Sequence, residues 1–109
     1  MRKRRKYYSS KGLVNIFVYD GQAEIRHALI AEFNKIRRRK FGDREVIVHS
    51  IVNEKDLKHR LQKFIPYQIV VREDIEDELS QIYETLAQVC GEITVEIVYM
   101  HVEVLTQSL

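Results

Sequence analysis

Five consecutive cations, Arg2, Lys3, Arg4, Arg5 and Lys6, are followed by two aromatic residues, Tyr7 and Tyr8. Adjacent Lys and Arg side chains suit one kind of chemistry. They neutralise phosphates and release condensed counterions, the term that supplies most non-specific nucleic-acid affinity. The two tyrosines could add base stacking on single strands, or pack on the domain as an extension of its first strand. A second run, Arg37-Arg38-Arg39-Lys40, closes the first helical segment. Helix C-termini favour cations through the macrodipole, but four in a row exceed what the dipole needs. The charges are also sorted along the chain. Residues 1–64 hold 17 Lys/Arg against 7 Asp/Glu, whereas residues 65–109 hold only Arg72 against 9 acids. The whole-chain net charge of +2 hides that split, which points to a polyanionic partner.

Other chemistry is sparsely represented. Carboxylates cluster at Asp20 and from Glu73 to Glu78, yet Asp74 through Glu78 reads first as the acid-rich start of a helix. The four histidines, His27, His49, His59 and His101, show no Cys/His ligand spacing. His49 and His101 fall in strand-like runs and read as satisfied interior or interface side chains. There is no Walker loop, no Gly-x-Gly-x-x-Gly, no Gly-x-Ser-x-Gly and no Cys-x-x-Cys. Ser9, Ser10 and Cys90 lack a partner base in sequence context. No catalytic residue, metal ligand or cofactor is assigned; the residues favour a non-catalytic domain and leave an enzyme as an open alternative.

Composition narrows the class. At 109 residues the chain has room for one core, and 45% hydrophobic with 31% charged residues describes a globular protein rather than a disordered one. No apolar run approaches the roughly 20 residues of a membrane helix. No apolar stretch follows the N-terminal charges as a secretory signal would require. No lipidation site or amphipathic helix accompanies the arm, so a membrane partner is not expected. A single cysteine in an apolar stripe fits a buried small hydrophobe and a reducing, cytoplasmic setting. Scarce glycine and proline, four and one, with abundant charge, fit a thermophilic source.

The elements that must carry these groups follow from periodicity. Residues 1–11 have none and form a basic N-terminal arm; residues 12–109 form a single α/β domain. Leu13 to Tyr19 is a β-rich run ended by Asp20-Gly21. Ile25, Ala28, Leu29, Phe33 and Ile36 then recur at helical spacing up to about Lys40, where Phe41-Gly42-Asp43 breaks the pattern. Glu45 to Val52 is an apolar run of strand length. Asn53 caps a second helix with Leu57, Leu61 and Phe64 on one side, and Pro66 stops it. Tyr67 to Val71 is a short strand. Asp74 opens a third helix with Ile75, Leu79, Ile82, Tyr83, Leu86, Val89 and Cys90 in one stripe, ending at Gly91. Ile93 to Leu105 is dense in β-branched residues.

The order is β-α-β-α-β-α-β, which implies right-handed crossovers and a mainly parallel four-stranded sheet in two or three layers. The apolar character of strands two and three predicts burial on both faces. A last strand of thirteen residues would span roughly 43 Å, against a domain diameter of roughly 34 Å. It must therefore bend, end early, or project to pair with a second copy. Parallel strands would also gather acids at the carboxyl edge of the sheet and bases, including Lys11, Arg44 and Lys63, at the amino edge.

Ligands of open α/β sheets favour the carboxyl edge, where this chain offers Asp20-Gly21 and Glu73-Asp74-Ile75-Glu76. That layout resembles the Toprim domain of topoisomerases and primases, which holds Mg²⁺ on carboxylates at those two turns. Toprim has Glu-Gly at the first turn and Asp-x-Asp at the second, so the likeness is one of layout. It implies a metal-dependent phosphoryl-transfer enzyme using Asp20, Glu73 and Asp74. The residues themselves favour a nucleic-acid-binding domain, for DNA or RNA without sequence preference, gripping through Arg2–Tyr8 and Arg37–Lys40. A homodimer joined by the C-terminal strand is the alternative.

Overall fold

Residues 13–91 and 95–103 are described by the computed structural model, and they realise the alternating order. The elements are β1 (Leu13–Tyr19), α1 (Ala23–Phe41), β2 (Glu45–Ile51), α2 (Glu54–Leu61), β3 (Gln68–Arg72), α3 (Leu79–Cys90) and β4 (Glu96–Met100). The sheet order is β2-β1-β3-β4, and every neighbouring pair is parallel.

Alternation along β1 divides the core in two. Val14, Ile16 and Val18 pack with Ile25, Leu29, Phe33 and Phe41 of α1. Phe17 and Tyr19 face the other way, with Leu57 and Leu61 of α2 and Ile82, Leu86 and Cys90 of α3. One helix covers one face and two cover the other, giving three layers. The topology requires this. The chain steps outward from β1 to β2, then reverses toward β3 and β4, and crossovers of constant hand must change face when they change direction.

That reversal corrects one expectation. β2 is an edge strand, not a strand buried on both faces, and Ile47 is 37% exposed. Its apolar composition reflects one covered face and a half-covered one. β1 and β3 are the doubly buried strands. β4 is parallel to β3 and ends at Met100, so the long last strand resolves as early termination. Residues 101–103 leave the ladder, and residues 92–94 and 104–109, with Ile93 and Leu105 among them, lie outside the described residues.

The helix boundaries have local causes. Gly42 ends α1 with φ 62° and ψ −128°, its N–H donating to the carbonyl of Arg38 at 2.7 Å. Side chains strongly disfavour that backbone conformation. A Cβ there would meet nothing within 4 Å, so the demand comes from the backbone alone. Asn53 caps α2 as its residue type predicts, Oδ1 accepting from the N–H of Asp56 at 2.8 Å. α3 begins at Leu79 rather than Asp74. Asp74 instead pairs with Arg72 at 2.6 Å, and a turn from Ile75 N–H to the carbonyl of Arg72 folds Ile75 into the core. The stripe of α3 shifts accordingly: Thr85 is buried and Tyr83 is 50% exposed.

No helix among the described residues is long and apolar enough to cross a membrane.

Candidate functional site

In an all-parallel sheet every strand starts at one edge, where every helix ends. The end of α1, with Arg37, Arg38, Arg39 and Lys40, therefore lies at the amino edge beside the start of β2. Successive helical residues are about 100° apart, so these four side chains fan around the helix end rather than sharing one face. Arg37 is half-buried and committed. Its guanidinium donates to Asn34 Oδ1 at 3.2 Å and to the carbonyl of Val46 at 3.1 Å, tying α1 to the edge strand. Arg38, Arg39 and Lys40 are exposed and form no ion pair among the described residues.

Between α1 and β2 lies an open depression of about 460 Å³, lined by Asn34, Arg37, Arg38, Gly42, Asp43 and Arg44. Three guanidinium groups against one carboxylate make it an oxyanion-accepting surface, and guanidinium suits phosphate geometry better than ammonium does. The Gly42-Asp43 turn brings Arg44 back toward Arg38. Arg44 and Asn34 stand outside the run of four that the sequence singled out. The short interval from Arg38 across a glycine turn was the signal for Arg44; Asn34 had none.

The arm residues Arg2, Lys3, Arg4, Arg5, Lys6, Tyr7 and Tyr8 lie outside the described residues, as does Lys11. Their point of attachment is described. Leu13 opens β1 in register with Glu45, the residue that follows Arg44. The chain thus enters the fold at the edge that carries the basic end of α1.

The opposite edge is acidic. Burial holds the Tyr19 hydroxyl above its ordinary pKa, and the carboxylates of Glu78, Glu54 and Asp20 push it further in the same direction. The carboxylates singled out there each have a partner within the protein. Asp20 is buried and accepts from the N–H of Gln22 at 2.9 Å. Glu73 meets His101 Nδ1 at 2.5 Å, and Asp74 pairs with Arg72. Hydrogen bonding to Glu73 and its charge raise the pKa of His101. Among the described residues, no three His, Cys, Asp or Glu gather as a metal would need. Asp20, Glu73 and Asp74 are therefore not assembled as the Toprim-like layout implies.

His49 is the satisfied interior histidine that its strand position predicts. Arg60 donates to Nδ1 at 3.0 Å, so the ring proton sits on Nε2, which donates to Asn15 Oδ1 at 2.9 Å. His27 and His59 are exposed on separate helices.

Comparison with known protein families, with characterised proteins and with solved structures finds no match for this chain.

Proposed function

We propose that this domain binds nucleic acid without sequence preference, gripping phosphates with Arg38, Arg39, Lys40 and Arg44 together with the Arg2–Lys6 arm. One observation carries the reading: the unpaired cations at the end of α1 share a sheet edge with the point where the basic arm joins the fold. Asp20, Glu54, Glu73, Asp74 and Glu78 stand toward the other edge, whereas Asp43, Glu45 and Glu96 are the acids at this one, so a polyanion is drawn to the end of α1 rather than to the whole edge. Arg37 contributes less than its neighbours, because two of its donors are already used within the protein.

The test is titration of labelled DNA and RNA followed by fluorescence anisotropy, across about 50 to 200 mM salt. Affinity is expected to fall steeply with salt. Each phosphate contact on duplex DNA contributes about 0.9 to the slope, so Arg38→Gln, Arg39→Gln and Lys40→Gln together should reduce it by about 2 to 3. Removing residues 1–8 should flatten it further. No measurable binding at low ionic strength would retire the proposal.

A second reading, self-association, is favoured by the edge strand β4. Among the described residues it pairs with no strand but β3. At the other edge Arg37 occupies the carbonyl of Val46. β4 is flanked on one face by exposed Tyr99 and Tyr83, whose side chains hydrogen-bond, and on the other by half-buried Val98 and Met100. A second copy pairing antiparallel about a two-fold axis would extend the sheet and cover these groups. Light scattering should then show a concentration-dependent dimer that persists at high salt and is lost in Val98→Lys. A monomer at all concentrations would remove this reading.

A further inference from the structure

Tyr67 is more than half exposed, at 53%, although it is held by rigid neighbours. Its N–H donates to the carbonyl of Asn15 on β1 at 2.8 Å. Buried Pro66 precedes it, and fixes its own φ. Its ring meets Phe41 edge to face, with centroids 5.6 Å apart and planes at 79°. Phe41 is itself buried and packs on Phe33 in the core, and it directly follows Lys40. An aromatic ring is thus mounted at the amino edge, next to the cationic end of α1, with much of its surface in water.

Placing a large ring in water gains nothing for folding. Among the described residues, no contact on the exposed side of Tyr67 repays it, whereas a flat π-surface beside cations matches one ligand chemistry. We propose that the ligand is single-stranded nucleic acid, with Tyr67 stacking on an unpaired base while Arg38, Arg39 and Lys40 hold the adjoining phosphates. This rests on the nucleic-acid reading above and narrows it. A duplex keeps its bases stacked on one another and offers this edge only phosphates. A single strand can splay a base onto the ring, and such stacking tolerates any base identity.

The experiment compares single-stranded and duplex oligonucleotides of one sequence on wild type, Tyr67→Leu, Tyr67→Phe and the Arg38→Gln, Arg39→Gln, Lys40→Gln variant. Leucine keeps an apolar contact with Phe41 but removes the π-face; phenylalanine keeps both. Tyr67→Leu is expected to weaken single-strand binding about tenfold, to leave duplex binding unchanged, and to leave the salt slope unchanged because no charge is lost. Tyr67→Phe should bind as wild type does. The triple variant should lose slope on both ligands. Thermal melts check that each variant is folded. If wild type binds duplex as tightly as single strand, or if folded Tyr67→Leu binds as wild type does, the stacking role is overturned and the phosphate-binding reading stands. If wild type binds neither ligand, both fall together.

Discussion

Phe33→Ala is expected to lower the unfolding free energy by about 3–5 kcal/mol, the cost of emptying a fully packed aromatic site. Phe33 has no exposed surface and lies on α1 among Leu29, Phe41, Val14 and Ile16. A single helix covers this face, so no second helix can slide in to fill the void. A domain of this size is stable by only about 5–15 kcal/mol, and the loss is therefore a large share of the total. The effect should reach the amino edge of the sheet. Phe33 contacts Phe41 with ring centroids 6.1 Å apart, and Phe41 in turn supports Tyr67. Urea unfolding followed by circular dichroism should show a lower midpoint with an unchanged slope. A loss under about 1 kcal/mol would mean that this face is not close-packed.

Acidification should destabilise the protein between about pH 6.5 and about pH 4 through His49, whose pKa is lowered to about 4. Burial is the larger cause and the Arg60 guanidinium the second. In the fold Nδ1 accepts from Arg60, so a proton added there would set two donors and two positive charges face to face. Above pH 6.5 neither the folded nor the unfolded histidine is charged, and the full contribution is present. Below it the unfolded chain gains a proton that the native state refuses, and stability falls until the native site also protonates near 4. A shift of that size corresponds to about 2 kcal/mol once solvent screening at Arg60 is allowed for. His49→Phe replaces one ring by another between Phe17 and Phe64, and should remove this component of the pH dependence. It should also cost stability near neutral pH, since it strands Asn15 and Arg60. Urea unfolding of both proteins across this range gives the difference directly. Parallel profiles for wild type and variant would refute the assignment.

The chain's local signals were strong where a single residue type enforces a local geometry. Asn53 capped α2, Gly42 ended α1, and the alternation of Leu13–Tyr19 made a strand. The sorting of charge was legible for the same reason, because acids and bases lie near opposite helix ends. Signals that depend on neighbours misled. Glu45–Val52 reads as a doubly buried strand because composition records apolar content but not how many strands lie alongside. Asp74–Glu78 has the residue types of a helix start, yet ion pairing with Arg72 and burial of Ile75 shape it as turns.

Local periodicity and composition thus determined the alternating elements and the basic stretches. Strand order was decided only in three dimensions. It follows from the reversal between β2 and β3, a packing choice among distant segments that no local window contains. That choice aligned the start of β1 with the end of α1 and set Phe41 under Tyr67. Contacts of this kind link residues far apart in the chain, and only the folded core fixes their distances.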